Sequence, residues 1–289
     1  MVTTPARSSA RDHYKSQVKP TWCPGCGDFG VLKSVYEAFN QLEIDPDNLV
    51  AVSGIGCSGR IPFFIDAYGF HSLHGRALPA ASGIKLARPE LDVVVLGGDG
   101  DGLAIGAGHF VNACRRNLDI TYIIMNNSIY GLTKGQASPT SSWSMATKTA
   151  PQGSNEQPVN PIALALVCGA TFVARGFSGQ NKTLGELLAQ GMSHKGFSFI
   201  EVFSPCPTFN KFNTYEYYRN EIQALPEEHD PHNLPQALQY AFAPETYLGV
   251  FYDSQQAVLN DHTERIKTGS QTDIDTRLNA LFDNFATAV

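Results

Sequence analysis

Residues 93–110 read VVVLGGDGDGLAIGAGHF, and residues 120–133 read ITYIIMNNSIYGLT. A run of β-branched residues ends in Gly98-Asp99-Gly100, a helix-length stretch follows, and a second apolar run ends in Asn126-Asn127. Strand, helix and strand, with no polar alternation in either strand, is the pattern of a parallel sheet covered on both faces. In such a sheet ligands collect beyond the carboxyl ends of the strands, where both polar clusters fall. One site is therefore served by Asp99 and Asn127 together.

The same rhythm continues on either side. Short apolar runs at 49–52, 92–97, 120–125, 171–174 and 197–203 alternate with helix-length segments at 76–88, 103–116, 161–168 and 183–193. The last of these opens with Thr183 and Glu186 in capping-box spacing. The expected fold is α/β, a mostly parallel sheet covered by helices. Residues 1–20 read as a polar N-terminal arm, 21–215 as the main domain, and 216–289 as a C-terminal extension packed on a partner subunit. The connection at 137–160, rich in Ser, Thr, Pro and Gln, is long for a compact domain and reads as a lid or a partner contact.

The residue types of the two clusters suit Mg²⁺ holding a diphosphate. A carboxylate, an amide oxygen and a main-chain carbonyl after Asn127 complete an octahedron with phosphate oxygens and a water. Glycines at 98, 100 and 102 let the backbone approach the phosphates, and a helix beginning near Leu103 points its positive end at them. An EF-hand reading of the Asp-Gly repeats fails, because Leu103 and Phe110 occupy loop positions that must ligate calcium. The plain alternative, turn glycines with Asp99 and Asp101 as helix caps, leaves Asn126-Asn127 without a purpose.

The chain has 289 residues, a net charge of −6 and 43% hydrophobic residues, enough for one large domain with a sizeable core. That charge offers no footprint for nucleic acid or for an anionic membrane. With no apolar run of about 18 residues and no apolar leader, a cytoplasmic protein is expected. There thiols stay reduced, so the six cysteines read as ligands or small buried hydrophobes. Cys114 and Cys168, among apolar neighbours, are of the second kind.

Residues 21–30, TWCPGCGDFG, place Cys23 and Cys26 in a loop feeding a helix N-terminus, an end that favours thiolate. Cys57 in GIGCSG and Cys206 in SPCP are also flanked by glycine or proline. A redox CxxC needs no such companions, whereas zinc and an iron–sulfur cluster both accept four thiolates and are equal on residues alone.

Together, GDG…NN, WCPGCGDFG, VSGIGCSGR and LHGRALPAASGIKLA resemble the β subunit of 2-oxoacid:ferredoxin oxidoreductases, from about residue 15 to 215. SGIGCSGR and IYGLTKGQASPT are more similar to the 2-oxoglutarate than to the pyruvate enzyme. The resemblance implies a thiamine-diphosphate-binding fold, with Mg²⁺ on Asp99, Asn127 and the Ile129 carbonyl. It further implies cofactor contacts at Gly98, Gly100, Ser53, Gly54, Gly131 and Leu132, and one 4Fe-4S cluster on Cys23, Cys26, Cys57 and Cys206. Asp101, beside the motif, receives no role.

What the resemblance implies of function is CoA-dependent oxidative decarboxylation of a 2-oxoacid, with ferredoxin as electron acceptor, or the reverse carboxylation. An α subunit would supply the pyrimidine-binding domain and the catalytic glutamate in an αβ or (αβ)2 assembly. A 2-oxoacid brings one carboxylate and 2-oxoglutarate two, so Arg60 and Lys134 are candidates to pair with the distal one. His74, and less so His71, is a candidate hydrogen-bond donor to the substrate. The competing readings are a non-redox thiamine decarboxylase or synthase subunit with structural zinc, a pyruvate-specific member of the family, and a metal-stabilised scaffold without cofactor.

Overall fold

The computed structural model describes residues 13–259 together with 276, 278–280 and 282–283. Its strands are β1 (Leu49–Ser53), β2 (Tyr68–His71), β3 (Asp92–Gly98), β4 (Ile120–Asn126), β5 (Phe172–Phe177), β6 (Phe197–Phe203), β7 (Ile222–Ala224) and β8 (Thr246–Asp253). They form one sheet in the order β2-β1-β3-β4-β6-β5-β8-β7. The first six strands of that order pair in parallel, β8 runs antiparallel to β5, and β7 is parallel to β8.

The absence of polar alternation in the central strands has a direct cause. On β3, Val93 and Val95 join one core while Val94 and Leu96 join the other, and on β4 Tyr122 and Ile124 oppose Ile123 and Met125. Each strand is apolar on both faces because helices cover both. Helices α1 (Asp28–Gln41) and α5 (Asn181–Ser193) lie on one face. On the other are α2 (Ala77–Ala87), α3 (Ala107–Arg116), α4 (Pro161–Val167) and α7 (Leu234–Ala241), while α6 (Tyr215–Glu221) packs beside the ends of β5 and β6.

Several expectations are corrected. The helix read over 103–116 is split into a π-type turn over Asp101–Ile105 and α3 from Ala107. Gly106 N–H donates to the Asp101 carbonyl five residues back, at 3.2 Å, and a Cβ at Gly106 would stand 2.6 Å from that oxygen. Only glycine permits the wide turn there. Helix α5 begins at Asn181 after Gln180, so Thr183 and Glu186 form no capping box.

The extension expected from residue 216 is in large part the same domain. β7 and β8 complete the sheet, and Phe251 is fully buried in the core. The end of the expected arm is packed too: Tyr14 is buried and its hydroxyl donates to Ile44 O at 2.6 Å. The rest of that arm, residues 1–12, and most of 260–289 lie outside the described residues. Among those described, no helix is long and apolar enough to cross a membrane.

Candidate functional site

The carboxyl ends of β1, β3 and β4 open onto one cavity of about 550 Å³. Gly56 and Cys57 line it from beyond β1, Gly98 to Asp101 from beyond β3, and Asn127 and Ile129 from beyond β4. Gly131, Leu132 and His74 also line it. The sheet order thus joins two motifs that the sequence separates.

Asp99 is 1% exposed and anchored within its own chain. Its Oδ2 accepts the hydroxyl of Thr140 at 2.7 Å and that of Ser138, and its Oδ1 faces the Asn127 N–H at 3.4 Å. Burial pushes its carboxyl above the usual carboxylate range, while these donors pull it back. Asn127 Oδ1 accepts Ile129 N–H at 3.1 Å, and Asn210 Nδ2 donates to the Asn127 carbonyl at 2.9 Å. Between them Ser128 has φ +54°, a left-handed backbone in a residue with a side chain.

The long connection after β4 is therefore part of the site at its start. Ser138, Thr140 and Ser141 are buried, and Ser141 Oγ donates to the Ser128 carbonyl at 2.7 Å. The sequence reading missed Ser138, Thr140 and Asn210. The signal available was the Ser/Thr-rich composition directly after the motif.

Asp101 gains a structural role. Its Oδ1 accepts Ile55 N–H at 2.9 Å and Gly75 N–H at 2.7 Å, and stands 2.9 Å from His74 Nδ1. Three loops are thereby tied at one oxygen. A Cβ on Gly54 would come 1.9 Å from the Asp101 carboxylate, so Gly54 acts by making room for Asp101. Ser53 is wholly buried below the cavity, its hydroxyl donating to Gly59 O at 2.6 Å and standing 2.9 Å from His71 Nδ1. His71, on β2, does not line the cavity.

Neither cationic candidate lines the cavity. Lys134 is exposed, at φ +75°, between Thr133 and Gln136, which do line it. Arg60 Nη1 donates to Thr21 Oγ1 at 2.8 Å.

Of the four candidate cysteines, Cys57 lines the cavity. The Cys23–Cys26 turn (Cys26 N to Cys23 O, 3.1 Å) is tied to the segment after β6 by Gly27 N–H on Pro205 O at 2.9 Å. A Cβ on Gly131 would lie 3.6 Å from both Cys57 Sγ and Cys206 Sγ, so those sulfurs flank one point. Among the described residues no three His, Cys, Asp or Glu side chains converge on a single metal ion.

The helix end, expected to favour thiolate at Cys23 and Cys26, does not lower Cys26. Burial and the adjacent Asp28 raise Cys26, push Cys57 up to about 11, and burial raises Cys206. Desolvation outweighs the helix end. Asp28 itself is wholly buried, accepting Ser204 Oγ at 2.7 Å, and burial lifts its carboxyl to about 6.

The donor set fits a hard dication with a diphosphate: Asp99, a carboxylate already oriented by hydroxyls, Asn127, with an amide oxygen, and Ile129, with a main-chain carbonyl, line a cavity whose walls at Gly56, Gly98 and Gly131 lack a Cβ. Four sulfurs on three loops suit a cluster or a soft metal.

A family model described as thiamine pyrophosphate enzyme, C-terminal TPP binding domain, matches residues 54–202. A second, describing the C-terminal part of the pyruvate ferredoxin oxidoreductase β chain, matches 206–268. The 2-oxoacid:ferredoxin oxidoreductase subunit β of Saccharolobus solfataricus is 46% identical over 269 residues, 88% of each chain. The 2-oxoglutarate synthase subunit KorB of Archaeoglobus fulgidus is 46% identical over 201 residues, 69% of this chain and 75% of that one. Among solved structures, the 2-oxoglutarate:ferredoxin oxidoreductase from Magnetococcus marinus, with 2-oxoglutarate, coenzyme A and succinyl-CoA bound, superposes with a TM-score of 0.91 at 44% identity, covering 96% of this chain and 97% of that one.

Proposed function

We propose that this chain, which belongs to the family of 2-oxoacid:ferredoxin oxidoreductase β subunits, acts on 2-oxoglutarate. The reaction is CoA-dependent oxidative decarboxylation to succinyl-CoA and CO2, with the two electrons passed to ferredoxin, or the reverse. The observation that carries the reading is one cavity wall on which Asp99, Asn127 and Ile129 stand beside Cys57.

Asp99 and Asn127, with the Ile129 carbonyl, would hold Mg²⁺, and Gly98 and Gly100 would let the diphosphate close on the backbone. When bound, thiamine diphosphate supplies the nucleophilic carbon and the electron sink that decarboxylation needs. Cys23, Cys26, Cys57 and Cys206 would hold the 4Fe-4S cluster, giving up their protons on binding. Leu132 and Gly131 line the cavity, Gly131 beside Cys57 Sγ and Cys206 Sγ.

His74 Nδ1 faces a carboxylate oxygen, so the neutral ring carries its proton there and offers the Nε2 lone pair. The neutral ring would accept a hydrogen bond in the cavity, and the charged ring would donate one to a substrate carboxylate. The β-subunit names of the relatives imply an α partner. To that partner we assign the pyrimidine-binding domain and the catalytic glutamate.

The bound molecules of the Magnetococcus marinus enzyme support 2-oxoglutarate, while the description of the second family model favours pyruvate. An anaerobic assay of the chain purified with its α partner, following CoA-dependent ferredoxin reduction, decides between them. The expected result is a higher kcat/KM for 2-oxoglutarate. Preference for pyruvate overturns the substrate, and CO2 release without ferredoxin reduction overturns the redox reading.

A further inference from the structure

We propose that Glu201, held by Arg175, is a positioning residue that sets the metal side of the site through Asn126. The inference rests on the metal–diphosphate reading above, and Arg175 and Glu201 lie outside every motif of the sequence.

Arg175 on β5 and Glu201 on β6 are register partners in the middle of the sheet, and both are buried. Arg175 Nε donates to Glu201 Oε2 at 2.7 Å, with its guanidinium 5.3 Å from the Phe203 ring and 5.4 Å from that of Phe251. Desolvating two charges costs about as much as their attraction returns, so such a pair is a poor device for stability alone. Its use lies in the second carboxylate oxygen.

Glu201 Oε1 accepts Asn126 Nδ2 at 2.7 Å. An acceptor-only group on that side fixes which way the amide faces. Asn126 Oδ1 is thereby turned to accept Ser128 N–H at 3.0 Å, and it shares the Thr140 hydroxyl, at 2.9 Å, with Asp99 Oδ2. Ser128 is the residue in the left-handed backbone conformation, and its N–H is what Asn126 holds. A flipped amide would set NH2 against the Ser128 N–H and release the turn that presents Asn127 and Ile129. Outer partners of this kind orient metal ligands and typically change metal affinity about 10- to 100-fold when lost.

The test uses the chain purified with its α partner and stripped of cofactor, with thiamine diphosphate titrated calorimetrically at fixed Mg²⁺ and the melting temperature of the unliganded complex measured beside it. Two double variants both remove the ion pair: Arg175→Met with Glu201→Gln keeps an acceptor for Asn126, whereas Arg175→Met with Glu201→Met does not. The Gln variant should bind as the unaltered complex does, and the Met variant about 10- to 100-fold more weakly. Equal affinity in the two doubles overturns the inference, because a purely structural pair would move both alike. Glu201→Asp, which keeps the charge near Arg175 but withdraws the acceptor, covers the case in which a double variant fails to fold. Weaker binding by Glu201→Asp at an unchanged melting temperature supports the inference, and unchanged binding overturns it. Failure of the unaltered complex to bind thiamine diphosphate overturns the metal–diphosphate reading itself, and this inference with it.

Discussion

Asp99 already receives Thr140, Ser138 and the Asn127 amide, so its carboxylate is aimed before any cation arrives. Asp99→Asn keeps the shape and removes the charge. Thiamine diphosphate binding at fixed Mg²⁺ should then weaken by at least the roughly 10- to 100-fold that an outer partner alone is worth, as calorimetry would show; unaltered affinity would remove Asp99 from the metal. Lys134 stands outside the cavity lining, next to Thr133, which lines it. If it meets the distal carboxylate, Lys134→Met raises KM for 2-oxoglutarate by about ten- to a hundredfold, the worth of a hydrogen bond to a charge, with little change for pyruvate. Equal effects on both substrates would mean an ordinary surface lysine. Asp99, Asn127 and Cys57, which the structure brings to one cavity, could be singled out in the sequence because glycine, asparagine and cysteine are informative where they cluster. Glu201 and Arg175 were not, since a lone charge in FSFIEVF or TFVARGF acquires its partner only when strand order places β5 beside β6.

At the scale of elements, α3 carries the wide turn after Gly100 and is pinned to the sheet by Phe110, fully buried and edge-on to Phe199 with ring centroids 4.9 Å apart. Phe110→Ala should lower unfolding stability by about 3–5 kcal/mol, read in denaturant, and a loss under about 1 kcal/mol would mean the helix is held elsewhere. The junction of α5 with β8 makes a pH prediction. His194 stands 3.1 Å from Asp253 Oδ1 and 2.8 Å from Thr171 Oγ1, and burial, against the pull of Asp253 and Asp119, holds its pKa below the ordinary value. A histidine harder to charge in the fold binds fewer protons there than when unfolded. Its contribution is therefore complete above about pH 6.5 and is lost as pH falls from there through the folded value. Unfolding midpoints between pH 5 and 8 should fall more steeply toward acid for the unaltered chain than for His194→Gln; parallel curves would contradict the burial argument. The parallel strands were readable because burial on both faces leaves uninterrupted apolar runs. β8 was not, because TYLGVFYD follows a polar stretch and its place depends on pairing antiparallel with distant β5. The split before α3 depends on Gly106 and a five-residue hydrogen bond, which periodicity does not encode.

At the scale of the molecule, the sheet order turns four separated stretches into one wall, and the β-subunit names of the relatives imply an α partner. The net charge of −6 suits a partner that is neither nucleic acid nor an anionic membrane. On the proposed function the chain would contribute the diphosphate and cluster ends of the site, and the α partner the rest. Whether a thiamine site and a redox cluster share this one chain is measured most directly by iron, acid-labile sulfide and thiamine diphosphate per β chain, in complex purified with its α partner without oxygen. About four irons, about four sulfides and about one thiamine diphosphate are expected, the content of one 4Fe-4S cluster beside one cofactor. Zinc without sulfide, with thiamine diphosphate still bound, would contradict it and leave a non-redox decarboxylase or synthase subunit.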